Sequence, residues 1–326
     1  MSRELFARLS PDLIMDAIES LGYQCDARIL ELNSYENRVF QIGLEQAEPI
    51  IAKFYRANRW TDDMIREEHD FTLQLAESDV SVVPPLQIDS QTLFVFDEFR
   101  FSLYQRRGGR APAIDDLDCL TILGRHIALI HNVGASSDFY HRPALSIEEF
   151  GLSAREFLLN NNFIPMGLIP AYSTVSEQLL ADIEKVYAAA TFDTLRLHGD
   201  CHMGNVLWRE ELPHFVDFDD ARTGPAIQDL WMMLSGSQSA QEQQLDHILK
   251  GYREFRDFNP IELRLIEGLR ALRLMHHAAW IARRWQEPAF KRAFPFFDNE
   301  KFWATHILEL REQCAALFEQ PLRLIY

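Results

Sequence analysis

The sequence predicts an α+β protein of two lobes, a small antiparallel-sheet lobe at the N-terminus followed by a larger, mainly helical lobe. Three observations carry this. Over the first third, short runs alternate apolar and polar residues at the period of strands, with one clear helix among them. From residue 115 onward the apolar residues recur at helical spacing. The one break in that helical stretch is a pair of short apolar runs around a polar, proline-bearing turn, residues 206–216, which reads as a β-hairpin. The expected division is residues 1–104 for the small lobe, 105–110 for a hinge, and 111–326 for the larger lobe.

In chain order, residues 12–21 form a short helical pattern. Strands follow at 28–32 and 38–42, separated by Asn33-Ser34-Tyr35-Glu36-Asn37, and a third strand spans 49–55. Thr61 is placed to cap a helix reaching about Glu77, with Asp62 and Asp63 favourable at its positive end. Val82-Val83-Pro84-Pro85 ends it, and 92–96 and 99–104 make a further strand pair. The polar, glycine-bearing run 105–110 is the hinge. Helices are expected at 117–133, 147–160, 174–190, 228–235, 241–255, 260–285 and 299–318.

At 326 residues and 47% hydrophobic content the chain can bury a large core. Its net charge of −17 disfavours nucleic acid as a partner, because binding phosphates rests on Lys and Arg. Charges throughout residues 1–23 exclude a signal-peptide apolar region, and no apolar run approaches a membrane span. The four cysteines, Cys25, Cys119, Cys201 and Cys314, are widely spaced and read as reduced thiols in the cytoplasm. Cys201 is either oxidation-sensitive or, as the plainer reading has it, a small buried side chain.

The segment Leu197-His198-Gly199-Asp200-Cys201-His202-Met203-Gly204-Asn205, followed by Val216-Asp217-Phe218-Asp219, carries the chemistry. Asp200 with Asn205 five residues on has the spacing of the H-R-D-L-x-x-x-N loop. In an antiparallel hairpin the residue entering the first strand lies beside the one leaving the second, so Asn205 and Asp217 should reach one metal. An amide oxygen and a carboxylate suit Mg²⁺. Phosphoryl transfer from ATP needs this set, with Asp200 orienting the hydroxyl and accepting its proton. A bare polar turn is the competing reading, and zinc on His198 and His202 is disfavoured for want of four N/S ligands. Lys53 is a cation in an otherwise apolar strand; it reads as the phosphate-binding lysine paired with Glu68, Glu67 being the runner-up, or as an edge-strand charge. No G-x-G-x-x-G or P-loop is present, and Ser34, Asn37 and the backbone N–H groups of the 33–37 turn read either as phosphate contacts or as a plain turn.

Those residues resemble the aminoglycoside phosphotransferase/choline kinase superfamily, which has a protein-kinase-like fold. Residues 32–39, Lys53-Phe54-Tyr55-Arg56, Arg59-Trp60-Thr61, Asp219-Asp220-Ala221-Arg222 and Gly224-Pro225-Ala226 are similar to the bacterial Ser/Thr protein kinases of the stress response kinase A type. The resemblance covers almost the whole chain. It implies Asp200 as proton acceptor, Asn205 and Asp217 as Mg²⁺ ligands, and ATP contacts at Ser34 and Lys53 with Glu68 positioning Lys53. It further implies adenine held by backbone groups near Gln105 and Arg107, and Asp229 bracing the catalytic loop. A cytoplasmic monomer that phosphorylates protein Ser and Thr under stress is the activity implied. Asp217-Phe218-Asp219 stands where D-F-G would, and no A-P-E follows, so control by an activation loop is not expected. A small-molecule alcohol kinase shares the same machinery, and a nucleotide-binding pseudokinase scaffold is the reading from another class. The helix over 269–285, with Arg270, Arg273, Arg283 and Arg284, is either a border of the acceptor groove or a packed amphipathic helix.

Overall fold

Five strands form one antiparallel sheet: β1 (Cys25–Leu32), β2 (Arg38–Leu44), β3 (Ile50–Phe54), β4 (Phe94–Phe96) and β5 (Phe99–Gln105), in the order β1-β2-β3-β5-β4. The computed structural model describes residue 6 and residues 8–324. Alternation puts Phe40, Ile42, Phe54, Phe101 and Leu103 on one buried face, and helix α1 (Pro11–Glu19) covers it with Ile14, Ala17 and Ile18. Helix α2 (Asp62–Glu77) starts where expected, its Thr61 hydroxyl accepting from the Met64 amide at 3.2 Å. Phe71 and Leu75 on α2 join the core of the helical part, alongside Leu120, Leu123 and Ile127.

The remainder is helical: α3 (Leu117–Gly134), α4 (Ser153–Asn160), α5 (Ile169–Ala188), α6 (Ile227–Trp231), α7 (Gln238–Tyr252), α8 (Ile266–Arg284), α9 (Pro288–Ala293) and α10 (Glu300–Ala316). Strands β6 (Leu195–Leu197) and β9 (Arg222–Gly224) pair with each other, as do β7 (Val206–Arg209) and β8 (Leu212–Phe215). Among the described residues no helix is long and apolar enough to cross a membrane.

The structure departs from the sequence pattern in places. The expected helix over 147–160 opens as a wider π-turn, Glu148–Leu152, before α4; a Cβ on Gly151 would lie 2.3 Å from Leu180 Cδ2, so this turn packs against α5 at its glycine. Helix α5 begins five residues early because Pro170 falls in its first turn, where a missing N–H costs nothing. The stretch 260–285 divides into a tight 3₁₀ run, Pro260–Leu265, and α8. Strands β6 and β9, at three residues each, are too short to show a period.

The β7–β8 turn is Glu210-Glu211, both left-handed at φ 53° and 63°, the geometry of a two-residue hairpin. Pro213 therefore lies inside β8, opposite Trp208, at a position whose N faces away from β7. The outward groups of the hairpin are also used. Phe215 N donates to Ser81 O at 3.0 Å, Val83 N to Phe215 O at 3.2 Å, and Trp208 N to Arg110 O at 2.7 Å. The segment after α2 and the segment after β5 are thus both tied to one hairpin.

Candidate active site

The loop after β6 is fixed from beneath by one buried carboxylate. Asp229, on α6, accepts from His198 N and Gly199 N, each at 2.9 Å, and faces His131 Nε2 at 3.2 Å. His131 in turn bonds the Tyr252 hydroxyl at 2.8 Å. Gly199 sits at φ 83°, and a Cβ there would lie 2.2 Å from Asp220 O, so only glycine lets the chain pass. His198 Nε2 reaches Val216 O at 2.9 Å, which links the loop to the end of the hairpin. Asp200 is presented at the apex of this braced turn.

Asn205 enters β7, and its carbonyl accepts from Val216 N at 3.0 Å, so Asn205 and Asp217 flank the open end of the hairpin. Asn205 Nδ2 donates to Asp200 O at 3.0 Å. A carbonyl only accepts, so this contact fixes the amide and leaves its oxygen free as a cation donor. Asp217 is held in the left-handed region at φ 61°; a non-glycine residue there carries strain of about 1 kcal/mol. Asp200, Asn205 and Asp217 all line one cavity of about 550 Å³. Two oxygen donors with room for phosphate and water fit Mg²⁺. Among the described residues no group of three or more His, Cys, Asp or Glu is placed to hold a metal ion.

Lys53 projects from β3 to Asp217 Oδ1 at 3.2 Å and Asp219 Oδ1 at 3.0 Å. Burial works against its charge, but Asp219 and Asp217 outweigh burial and hold the ammonium well above its ordinary pKa. Its ion pairs therefore run to these two residues and not to Glu68. The 3₁₀ turn Phe218–Asp220 carries a second carboxylate up to the lysine, taking the place expected for the helix glutamate. Glu68 is buried with its Oε2 3.8 Å from His69 Nε2, and burial raises its carboxyl to about 7. Glu67 turns elsewhere, accepting from the backbone of Tyr140, His141 and Arg142 at 2.5 to 2.9 Å. Arg59 pairs with Asp219 and Asp220, and Arg142 donates to Asp219 O at 2.6 Å, completing a cationic surround that sequence reasoning had not assembled. Cys201 is buried, and burial pushes its thiol well above its ordinary pKa, in keeping with a packing role.

Asp200 faces a guanidinium and an imidazole. Arg273 Nη1 lies 2.8 Å from Oδ1 and His202 Nε2 3.5 Å from Oδ2. Burial would raise this carboxyl, yet His202 and Arg273 together hold it well below the usual carboxylate range. One wall of the cavity is α8, through Leu269, Arg273, His276, His277 and Trp280. The opposite wall is the β1–β2 turn, residues 33–37, which includes Ser34; its hydroxyl accepts from Asn37 N at 3.3 Å. That turn reaches across the cavity. Glu36 bonds Trp280 Nε1 and Arg284 Nε, Tyr35 packs 5.4 Å from Phe294, and nearby Arg56 pairs with Glu287. Gln105 and Arg107 do not line this cavity. Gln105 pairs with Ile50, three residues along β3 from Lys53, so it sits about 10 Å down the sheet.

With this geometry in view, the relatives are informative. Residues 28–266 match the model of a family described as phosphotransferase enzymes. Stress response kinase A of Escherichia coli (strain K12) is 42% identical over 319 residues, spanning 98% of this chain and 97% of that one. The serine/threonine protein kinase RdoA of Salmonella typhimurium (strain LT2) is 41% identical over the same shares. Amicoumacin kinase hAmiN, solved in complex with AMP-PNP, Ca²⁺ and Ami, superposes with a TM-score of 0.77 at 19% identity, covering 99% of this chain and 97% of the other. That last likeness shows a shared protein-kinase-like fold.

Proposed function

Because the chain belongs to the phosphotransferase enzyme family, we propose that it is an ATP- and Mg²⁺-dependent kinase transferring the γ-phosphoryl group to Ser and Thr hydroxyls of proteins, in a bacterial stress response. The observation that carries the chemistry is the meeting of Asp200, Asn205 and Asp217 on one cavity, with Lys53 salt-bridged to Asp217. Asp200 orients the acceptor hydroxyl and takes its proton. As a weak base it does so late, as a loose transition state allows. The Asn205 amide oxygen and the Asp217 carboxylate would hold Mg²⁺, which would supply charge neutralisation at the phosphates. Lys53, kept protonated by Asp217 and Asp219, binds the phosphates from the sheet side, with Ser34 at the turn above. Positioning of Lys53 falls to the two aspartates. The adenine lies toward the backbone of Gln105 and Arg107, within a hinge of residues 105–110 between lobes 1–104 and 111–326. The protein works as a cytoplasmic monomer.

The protein acceptor is supported by the names of relatives that match over nearly the full chain. A small-molecule alcohol is the second reading, favoured by one observation: the β1–β2 turn bonds across to α8 and encloses the cavity. Transfer of labelled γ-phosphate separates the two. Casein and myelin basic protein are offered beside choline, homoserine and an aminoglycoside, with Asp200→Ala as control. Label on protein Ser or Thr, lost in the variant, is the expected result. Label confined to a small alcohol would overturn the protein acceptor.

A further inference from the structure

The cavity that holds Asp200 does not end at Arg273. A second, more open hollow of about 500 Å³ adjoins it, sharing Arg273 and His277 and running past Arg270 to Trp231, Ser235 and Gly236. In a chain of net charge −17, the charged side chains lining this hollow are the two arginines, and no described Asp or Glu lines it. Arg270 and Arg273 are three residues apart on α8, so they share a face about 4.5 Å apart along the axis. Arg270 lies over the Trp231 ring at 5.5 Å, donates to Gln241 Oε1 at 3.3 Å, and has Glu267 at 3.6 Å as a loose neighbour on its own helix. Arg273 uses one N–H on Asp200, which leaves most of its fork of donors unspent. His277, beside them, is lowered by burial and by Arg273, so it adds no lasting charge near neutral pH.

We propose that the joined channel receives the acceptor as an extended peptide with an acidic side chain close to the Ser or Thr, held by Arg270 and Arg273. This rests on the protein-kinase reading above and narrows its substrate class. A cationic acceptor would meet like charge where its hydroxyl must approach Asp200, because Arg273 stands on that carboxylate. An acidic side chain has the opposite effect. By drawing Arg273 toward itself it both anchors the peptide and frees Asp200 to accept the hydroxyl hydrogen bond. The pairing of recognition with release of Asp200 makes acidity near the acceptor a condition for fast transfer.

The test is transfer from Mg²⁺-ATP by the full chain to synthetic peptides with one Ser in a neutral background, flanked by Glu, Gln or Lys. The Glu peptide should exceed the Gln peptide in kcat/KM by about three- to tenfold, the range of a partly exposed ion pair, and exceed the Lys peptide by more. Arg270→Glu should invert the ratio of Glu to Lys peptides, and Arg270→Lys should preserve its direction. A ratio measured within one protein sample is insensitive to a fraction of misfolded chain. Equal rates on all three peptides, or a ratio unmoved by Arg270→Glu, overturns the acidic preference and leaves the protein kinase standing. Label on small alcohols with none on any peptide removes the protein-kinase reading and this proposal with it.

Discussion

Two segments face each other across the cavity, and they are held in different ways. The loop from β6 to β7 is fixed from within the helical part. Asp229 gathers two backbone amides, His131 supports Asp229, and Tyr252 supports His131, all of them buried. The β1–β2 turn is held from two sides: Arg56, just past β3, donates to Tyr35 O and Glu36 O, while Trp280 and Arg284 of α8 reach Glu36 across a sequence separation of 244 residues for Trp280. The side that presents Asp200 is therefore built before anything enters the cavity. The side that covers it stays anchored to its sheet by Arg56, and its bonds to α8 can part without disturbing either core.

Four substitutions break or sharpen this contrast. Asp200→Ala, on the built side, should lower transfer by about two to four orders of magnitude, the scale of a positioned proton acceptor, with thermal unfolding little changed. An unfolding midpoint that dropped in step with activity would mean the residue is structural. Asp229→Ala removes the brace itself and orphans the amides of His198 and Gly199; a loss of about 3 kcal/mol in urea unfolding is expected, with activity falling alongside.

The foundation of that brace also has a pH signature. Glu262 accepts from Ile227 N at 2.9 Å at the start of α6, and burial pushes its carboxyl up to about 7 although that amide pulls the other way. A carboxyl raised in the folded state binds more protons there than when unfolded. Its contribution to stability is thus complete below the unfolded value of 4.5 and is lost as pH rises through about 7. The loss is on the order of 3 kcal/mol, and Glu262→Gln should flatten it in unfolding curves at pH 5 and pH 8. Smallest is Glu36→Gln on the covering side, which should cost about 1 kcal/mol of stability and raise the KM for ATP severalfold with kcat nearly unchanged. If Glu36→Gln instead abolished turnover, the two sides would not be separable as argued.

What could be read from the sequence follows the same division. That Asp200, Asn205 and Asp217 meet on one cavity was legible because their placement depends on short spacings and on one hairpin, and short-range geometry survives in sequence. Thr61 was legible for the same reason, as a local cap. The partner of Lys53 was not. The choice between Glu68 and Asp219 depends on how the 3₁₀ turn after Asp217 meets β3, which brings together residues 166 positions apart. Arg273 was visible as a basic residue on an amphipathic helix, but its contact with Asp200 depends on how α8 packs. Glu36 stood within the 32–39 run that carries the resemblance, but its bonds to α8 were not legible, since an acidic residue in a polar turn does not show what it reaches across the fold. The strands β6 and β9 were missed because three residues cannot display a period.

The hairpin that ties down the segments after α2 and after β5 has a mechanical consequence. Residues 81–83 hold its outer strand and Arg110 holds its inner one, so a rotation of the sheet against the helices has its axle at β7–β8. Points near an axle move least. Asn205 and Asp217, at the open end of that hairpin, keep their mutual distance while the far rim of the sheet, with residues 33–37, swings through the widest arc. The cavity can thus gape and shut again with Asn205 and Asp217 still in register with each other.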